Sequence, residues 1–460
     1  MNNPEELSKL RTEMKEVTGK IIHLVHTRME IAKKIGTVKQ NLSIDVEDEK
    51  VEKDIKDSII KLAENLGMDL ELSGRLLNLL LLESVRLQNN QVDSQKISPH
   101  VAIFMKAKEM EKKGKKIVHL EVGEPDFQPP LSVKKELSKI YRNKNYHYTD
   151  ILGIPKLRAK IADNVGYGIQ PDQVLVTPGG RFAVFCAITS LLKPGDELIN
   201  IEPTWPAYKE CAELIDVKTR TLKTSLKEKW NPNISKLENL VNDNTKMIVI
   251  NYPNNPTGKI LTQNILDQII SLAKDHKLFL LSDEVYSDYS FVDFNSVLQN
   301  EYDKKIMISS FSKTFGMTGF RVGYGIANKD IIRKMKGIQA TSMTSVAEPM
   351  QYCALAAMGN DIKDNVDLIK SRIDLICNRI KKMKMKFLYP DGAMYVYPLI
   401  ISDLYASDVV LVEKLLENNV AVAPGSGFGS NYKQFIRLSA CQPEDVLNKG
   451  LDIIENYIQE

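Results

Sequence analysis

The chain has 460 residues, of which 43% are hydrophobic and 26% charged, which is typical of a globular protein with two or three domains. A formal net charge of +3 indicates neither a nucleic-acid partner nor a membrane surface. The longest apolar run, 76–82, is too short to cross a bilayer, and the first residues lack the apolar core of a signal peptide. We therefore expect a soluble, cytoplasmic protein that binds neither nucleic acid nor membrane.

The cysteines are scattered along the chain, and no two of them form a Cys-x-x-Cys pair. This spacing predicts reduced thiols in a cytosolic compartment, with neither a disulfide framework nor a metal site. The five are Cys186, Cys211, Cys353, Cys377 and Cys441.

The first forty residues have a heptad pattern, in which apolar residues recur at alternating steps of three and four. This pattern predicts one helix that ends near Lys39 and is about 50 Å long. A small domain cannot bury so long an apolar seam, so we expect a partner helix from a second copy of the chain. The seam contains Leu7, Leu10, Met14, Val17, Ile21, Leu24, Ile31, Ile35 and Val38.

Arg28 occupies a seam position where an apolar residue is expected. A guanidinium there must meet an anion or cost several kcal/mol. Lys39 lies only about 20° around the helix from Arg28, so the two side chains offer a cationic groove. Arg11 is about 25 Å away along the axis, too far to share that groove within one chain. In an antiparallel dimer, Arg11 could instead complete the site of the partner.

Two more helices are predicted, over about 46–66 and 70–90. Asp48 and Glu52 share one face of the first, and Ser84 and Gln88 share one face of the second. Salt bridges between helices of a coiled coil are the alternative explanation of these polar positions.

The three helices with these polar positions resemble the all-helical class of chorismate mutases over about the first ninety residues. The resemblance implies an intertwined dimer that binds chorismate and rearranges it to prephenate, a unimolecular step that needs no nucleophile. The family usually has arginine where this chain has Val51. By resemblance, the carboxylates and the ether oxygen are bound by Arg28, Lys39 and Arg11 of the partner subunit. Glu52 orients the hydroxyl, and Gln88 donates to the ether oxygen. Asp48 and Ser84 also contact the substrate.

A polar stretch, Asn89 to Pro99, then predicts a linker. We place the helical domain at 1–92, the linker at 93–99 and a second domain at 100–460. In the second domain short apolar runs alternate with helical patterns, which predicts an α/β fold on a mainly parallel sheet and, from about Asp361, a smaller α+β subdomain. The strand candidates are 174–176, 197–201, 247–250, 278–281, 394–397 and 435–438.

Polar clusters follow three of these strands, where α/β proteins place their ligands. The segment 177–181 (TPGGR) opens a helix whose backbone amides could bind a phosphate. In the segment 251–258 (NYPNNPTG), Asn255 could donate to a phenolate. Asp283 could pair with a protonated pyridine nitrogen, or it could simply cap a helix.

Lys313 lies among hydroxyls and glycines after the apolar run 306–308. Burial beside another cation, Arg321, disfavours the ammonium form, so this lysine can become a neutral nucleophile near pH 7. Such a lysine suits a Schiff base with pyridoxal phosphate, whose phosphate would need Ser310 and Arg321 nearby. A surface lysine beside a glycine-rich turn is the alternative.

Taken in order, the motifs NPTG (255–258), SDEVY (282–286) and SFSKTFGMTGFRVG (310–323) resemble class I/II aminotransferases of fold type I, over roughly 97–460. The resemblance extends to VGEPDF (122–127) and FIRLS (435–439). It implies a dimer that uses pyridoxal phosphate. By resemblance, Lys313 carries the cofactor and moves the proton. By the same resemblance, Asp283 pairs with the ring nitrogen, Asn255 and Tyr286 hold the ring oxygen, and Trp205 stacks on the ring. The phosphate is bound by Gly180, Arg181, Ser310, Arg321 and Tyr148 of the partner subunit. The substrate carboxylate is bound by Arg437 with Gly123.

Arg181 has a second expected role, because a basic side chain after the Gly-Gly pair meets the distal carboxylate of dicarboxylic substrates in the subgroup closest to this pattern. Glutamate or aspartate is then the amino donor. The mutase product, prephenate, is itself a dicarboxylic keto acid, so the fusion predicts amination of prephenate to arogenate. The small-molecule partners are therefore chorismate, a keto acid and an amino-acid donor.

Several alternatives remain open from the sequence. The keto acid could be phenylpyruvate or 4-hydroxyphenylpyruvate, or the enzyme could be a broad aspartate-type transaminase. The same lysine and aspartate also serve lyases and decarboxylases that use pyridoxal phosphate. The helical segment could act only in dimerisation or effector sensing, and Arg181 could be a solvent-facing residue at a helix start.

Overall fold

The computed structural model describes residues 4–41, 49–88, 98–400 and 407–459. The chain divides into two compact units, Met1–Lys96 with Pro194–Asp196 and Ile97–Lys193 with Glu197–Glu460. Within the described ranges, no helix has both the length and the apolar character needed to span a membrane.

The first unit contains three helices, α1 (Pro4–Asn41), α2 (Glu49–Asn65) and α3 (Leu70–Gln88). Helix α3 packs against both α1 and α2. The turn before α3 follows from its sequence, because Gly67 adopts φ 61° and Asp69 Oδ1 accepts a hydrogen bond from the Leu72 amide at 2.7 Å. The three predicted helices are confirmed, although 42–48, where the second was expected to begin, lies outside the described residues.

The apolar seam of α1 is exposed in a single chain. Leu10 and Leu24 keep 55% and 68% of their surface, and Leu7, Met14 and Val17 are also exposed. Apolar exposure along one face of a long helix is unusual for a protein that acts as a single chain. The unit therefore leaves this face open to a further apolar surface.

The second unit has twelve strands and thirteen further helices among the described residues. The helices are α4 (Pro99–Lys112), α5 (Leu131–Ile140), α6 (Pro155–Val165), α7 (Gly180–Leu191), α8 (Ala207–Glu213), α9 (Ile234–Glu238), α10 (Gln263–Asp275), α11 (Phe311–Thr314), α12 (Lys329–Ser342), α13 (Glu348–Ala357), α14 (Lys363–Lys382), α15 (Asp408–Glu417) and α16 (Glu444–Gln459). The strands are β1 (Val118–His119), β2 (Val174–Thr177), β3 (Glu197–Glu202), β4 (Lys218–Lys223), β5 (Thr245–Asn251), β6 (Phe279–Asp283), β7 (Lys305–Ser310), β8 (Gly323–Ala327), β9 (Tyr395–Val396), β10 (Val420–Ala421), β11 (Ala423–Pro424) and β12 (Ile436–Ser439).

Seven of these strands form one sheet in the order β2-β8-β7-β6-β5-β3-β4. All run parallel except β8, which is antiparallel to both neighbours. Side chains of β2 alternate between two cores, with Val174 and Val176 in one and Leu175 in the other. Helices cover both faces, so the strands are buried on both sides, as their continuous apolar sequences predict.

The polar clusters meet at the carboxyl edge of this sheet. Asn251 at the end of β5 is paired with Asp283 at the end of β6, and Ser310 ends β7. Helix α7 begins at Gly180, three residues after β2 ends. Neighbouring parallel strands end at the same edge of the sheet, so these residues lie close together at the edge where the ligand site was predicted.

The smaller subdomain has its own core. Strands β11, β12 and β9 form an antiparallel sheet, and apolar side chains of α14, α15 and α16 join the same buried cluster. The strands expected near 394–397 and 435–438 are β9 and β12. Strand β12 carries Arg437, which this subdomain contributes to the site.

Candidate active site

A cavity of about 410 Å³ lies at the carboxyl edge of the large sheet. The structure brings almost every predicted residue of the second domain to its wall. Those residues are Gly123, Gly180, Arg181, Trp205, Asn255, Asp283, Tyr286, Ser310, Lys313, Arg321 and Arg437. Tyr148 is not among the described lining residues and is 91% exposed on the surface of the single chain.

Lys313 reaches the cavity from the short helix α11, which follows directly on β7. Its Nζ donates a hydrogen bond to the Gly123 carbonyl. Burial lowers the pKa of Lys313, and the positive charges of Arg437 and Arg321 lower it further. The direction expected from the sequence is therefore confirmed, and a larger share of this lysine is the neutral amine.

Asp283 ends β6 with its carboxylate inside the protein. Its Oδ2 accepts a hydrogen bond from the Tyr208 hydroxyl at 2.6 Å, and its Oδ1 accepts one from the Val285 amide at 3.2 Å. Burial raises the pKa of Asp283 to about 6, although both hydrogen bonds oppose the shift. A buried carboxylate of this kind is stabilised by a nearby cation, such as a protonated ring nitrogen.

The amino end of α7 lies at the cavity wall together with two serines and an arginine. Gly179 adopts φ 84°, and a Cβ there would lie 2.6 Å from Arg321 Nη2, so only glycine allows the guanidinium this close. The Ser310 hydroxyl accepts a hydrogen bond from the Ser312 amide at 3.1 Å and contacts the Ser312 hydroxyl at 3.0 Å. The helix start, the hydroxyls and the guanidinium are the donors that a phosphate requires.

Arg437 is 5% exposed and is held in a fixed orientation. Its Nη1 donates to Asn255 Oδ1 at 2.9 Å, and its Nη2 donates to the Glu121 carbonyl. Its guanidinium lies 4.3 Å from the ring centre of Tyr395 and 4.9 Å from that of Phe428. Its Nε is buried without a hydrogen-bond partner in the described part of the chain. Such a group suits a carboxylate ligand.

Gly123 lies beside the same arginine for a steric reason. A Cβ at this position would lie 1.9 Å from the Tyr395 hydroxyl, which itself contacts the Tyr286 hydroxyl at 2.7 Å. Any side chain at residue 123 would therefore displace the two tyrosines from the cavity wall.

Arg181 occupies the first turn of α7 and lies over Trp205, 4.5 Å from the ring centre. Its Nη1 is 3.5 Å from Glu210 Oε2, and its side chain is about half exposed. The geometry is compatible with both predicted functions, phosphate binding and binding of a distal carboxylate. Gly180 and Arg181 supply amides at the helix start for a phosphate, and the Arg181 guanidinium lies in the cavity wall.

These residues fit pyridoxal phosphate. The start of α7, Ser310 and Arg321 provide donors for its phosphate, and Asp283 provides a carboxylate for its ring nitrogen. The unpartnered Arg437 Nε and the lowered pKa of Lys313 fit a carboxylate substrate and a reactive amine. When bound, the cofactor supplies an electron sink for negative charge at the α-carbon of an amino acid.

Sequence reasoning missed several residues of this wall. Tyr208 orients Asp283, and Tyr395 stacks on Arg437. His100 lies near Arg437 and Arg181. Ser312 could have been found, since it lies in the same serine-rich motif as Ser310. The other three depend on contacts between residues more than forty positions apart, so no local pattern marks them.

The structure describes part of the predicted mutase site. Arg28 Nη1 donates to the Leu80 carbonyl at 2.5 Å and to the Ser84 hydroxyl, so two predicted residues meet between α1 and α3. Burial lowers the pKa of Arg28. Lys39 is half-buried at the end of α1, and Arg11 is exposed.

The remaining predicted mutase residues are less fully described. Glu52 and Gln88 lie in α2 and α3, but their side chains are outside the described part of the structure, and Asp48 lies in the range 42–48 that it omits.

Comparison with known proteins covers both parts of the chain. Residues 115–454 match the family aminotransferase class I and II, and residues 10–89 match chorismate mutase type II. An aspartate aminotransferase of Thermotoga maritima is 36% identical over 79% of this chain and 97% of that protein. An aspartate/prephenate aminotransferase of Thermus thermophilus is 30% identical over 79% and 97%.

Solved structures agree with the fold. The crystal structure of the Thermotoga maritima aspartate aminotransferase matches with a TM-score of 0.76 and 35% identity, over 79% of this chain and 98% of that one. The Thermus thermophilus aspartate aminotransferase with maleate matches with a TM-score of 0.75 and 30% identity, over 78% and 97%. This chain therefore belongs to the class I and II aminotransferases, which depend on pyridoxal phosphate, and it carries a type II chorismate mutase domain before the aminotransferase domain.

Proposed function

We propose that residues 1–92 convert chorismate to prephenate and that residues 100–460 transaminate prephenate to arogenate, with glutamate or aspartate as the amino donor and 93–99 as linker. The observation that carries this proposal is the guanidinium of Arg181 in a cavity wall that also contains Arg437, while the third guanidinium there, Arg321, lies at the proposed phosphate site. Two cations besides the one at the phosphate site suit substrates with two carboxylates. The product of the mutase domain has two.

The chemistry of prephenate supports the same site for donor and acceptor. Prephenate contains the five-carbon skeleton of 2-oxoglutarate. The carbon next to the distal carboxylate is a ring atom in prephenate, and its two remaining bonds are part of the ring. A cation that receives the side-chain carboxylate of glutamate can therefore also receive the ring carboxylate of prephenate. Two similar proteins agree: one is named an aspartate/prephenate aminotransferase, and another was solved with maleate, a dicarboxylate.

In this proposal each part of the wall has one task. Arg437 and the Gly123 amide hold the α-carboxylate, and Arg181 holds the distal one. Lys313 removes a proton from the α-carbon of the donor and delivers one to the α-carbon of the product, which its lowered pKa favours. Asp283 keeps the cofactor ring nitrogen protonated.

Contacts to the cofactor complete the proposed aminotransferase site. Asn255 and Tyr286 hold the ring oxygen, Trp205 packs on the ring, and Tyr148 of the partner subunit joins the phosphate site. The phosphate donors within the chain are the Gly180 and Arg181 amides, Ser310 and Arg321.

The mutase domain is proposed to act as a homodimer. The exposed seam of α1 supplies the apolar surface for a second copy, and Arg11 of the partner subunit would reach the site that Arg28 begins. The positive charges clamp the compact conformer of chorismate and stabilise negative charge on the oxygen of the breaking C–O bond. The proposed contacts are Arg28, Lys39, Asp48, Glu52, Ser84 and Gln88, together with Arg11 of the partner subunit.

A second candidate is the transamination of phenylpyruvate or 4-hydroxyphenylpyruvate. The observation that favours it is the position of Arg181, which lies over Trp205 and 3.5 Å from Glu210 Oε2. If Arg181 keeps this partner during turnover, the wall offers an aromatic surface rather than a free cation. The helical domain would then serve dimerisation or effector sensing.

The test compares keto acids on the Arg181→Gln variant. With glutamate as donor, the wild type should use prephenate more efficiently than phenylpyruvate. Removing the guanidinium should lower kcat/KM for prephenate by about tenfold, a modest loss because Arg181 is half exposed, and should change phenylpyruvate little.

Arg333→Gln is the matched control, because Arg333 is exposed on α12 and pairs only with the exposed Asp330 in the described part of the chain. A wild type that prefers phenylpyruvate, with Arg181→Gln indistinguishable from this control, would exclude prephenate as the substrate.

A further inference from the structure

His100 is a cavity residue that neither the motifs nor the proposed roles use. It lies in the first turn of α4, and Ile103 and Ala107 on the same helix face are buried in the core of the smaller subdomain. This face therefore turns His100 inward, and the imidazole becomes part of the wall of the substrate cavity.

The His100 ring is held in place from two sides. Its Nδ1 lies 2.6 Å from the Ser98 hydroxyl, and its ring stacks on Phe428 with centres 5.8 Å apart and planes 19° apart. Ser98 stands at the cap position of α4 but makes no capping hydrogen bond with its side chain. The hydroxyl that would ordinarily stabilise the helix start is used to orient the imidazole instead.

The charge on His100 follows from its surroundings. Burial lowers the pKa of His100 to about 3, and the positive charges of Arg437 and Arg181 contribute in the same direction. The ring is therefore neutral in the physiological range and carries one proton. When Nδ1 accepts the Ser98 hydroxyl proton, that single proton is on Nε2, which makes no hydrogen bond to any described residue.

We propose that the Nε2–H of His100 is part of the site for the distal carboxylate, where it donates a hydrogen bond beside the Arg181 guanidinium and selects dicarboxylic over monocarboxylic substrates. This inference rests on the proposed dicarboxylate function of the cavity. A neutral donor adds a hydrogen bond without placing a third positive charge near the two arginines. A substrate with a methyl group at the distal end would leave the same donor unpaired.

The experiment measures binding of two unreactive probes to the holoenzyme by calorimetry. Glutarate has the five-carbon skeleton with two carboxylates, and pentanoate has a methyl group in place of the second one. His100→Phe keeps a ring that can stack on Phe428 but removes the donor, whereas His100→Gln restores an N–H near the position of Nε2. His276→Phe is the matched control, because His276 is exposed at the end of α10.

The expected result is that His100→Phe weakens glutarate binding about tenfold or more and leaves pentanoate binding unchanged, that His100→Gln recovers most of the loss, and that His276→Phe has no effect. Equal weakening of both probes would show a merely structural residue and overturn the inference. If the wild type prefers glutarate and His100→Phe keeps that preference, only the role of His100 fails. If the wild type shows no preference for glutarate, the proposed dicarboxylate function fails together with it.

Discussion

Asp283 shows how one buried carboxyl group links the fold to cofactor binding. Its pKa, raised to about 6 by burial, means that the folded protein without cofactor binds a proton that the unfolded chain has released above about pH 4. The contribution of Asp283 to the free energy of unfolding of the cofactor-free protein therefore falls as the pH rises from about 4 to about 6. Glu284, whose pKa is raised to about 7, acts in the same direction.

The proposed pairing with a cationic ring nitrogen would reverse this preference, because such a cation stabilises the ionised form of Asp283. We expect the affinity for pyridoxal phosphate to increase as the pH rises through about 6, and Asp283→Asn to remove that increase and weaken binding by about 2–5 kcal/mol. Fluorescence titration of the cofactor-free protein from pH 5 to pH 8 measures both quantities. The variant also corrects for the cofactor phosphate, which titrates near the same pH. Parallel pH profiles for wild type and variant would contradict this role.

Site residues that lie in recognisable motifs could be predicted from the sequence, whereas residues whose role depends on tertiary contacts could not. Lys313, Asp283 and Arg437 lie in motifs whose order along the chain indicated the cavity, and the structure brings all three to its wall. Tyr208 acts on Asp283 only because α8 and β6 meet in the fold. His100 likewise has no motif, since its surroundings come from α7 and β12.

At the scale of elements, helix α1 is the clearest case of a pattern that needs a partner. The heptad spacing predicted the helix to within about two residues of its end at Asn41, and the same spacing predicted a seam that one chain does not bury. The antiparallel direction of β8 was not predicted, because strand direction depends on how the chain returns to the sheet and not on the residues of the strand.

Val17→Glu tests the seam of α1. Val17 is half exposed in the single chain, so a charge there should be almost neutral in stability if the helix has no partner. If a second copy covers the seam, the buried charge should separate the helices and reduce chorismate consumption about 100-fold or more, because Arg11 of the partner subunit no longer completes the site. Transamination should be unchanged.

Lys20→Glu is the control for this variant, because Lys20 is exposed on the same helix and is not part of the apolar seam. Initial rates of chorismate loss and of glutamate-dependent transamination measure the two outcomes. Full mutase activity in Val17→Glu would exclude a dimer built on this seam.

On the scale of the whole molecule, the chain joins two enzymes that need no common chemistry. The mutase domain rearranges one substrate without a covalent bond to the enzyme, whereas the aminotransferase domain depends on pyridoxal phosphate. What connects them in the proposal is the substrate: the first domain makes a keto acid with two carboxylates, and the second presents the guanidinium groups of Arg181 and Arg437 in addition to Arg321 at the proposed phosphate site. Sequence patterns indicated both domains and, through their fusion, prephenate as the keto acid, and the guanidinium groups in the wall of the cavity support that proposal.

The most direct test supplies the purified enzyme with chorismate and nitrogen-labelled glutamate and identifies the products by mass. We expect labelled arogenate from the wild type, unlabelled prephenate from Lys313→Ala, and unchanged chorismate from Arg28→Ala, which should still aminate added prephenate. Labelled arogenate that depends on both residues would support the account. Accumulation of prephenate by the wild type, with label appearing only when phenylpyruvate is added, would contradict it.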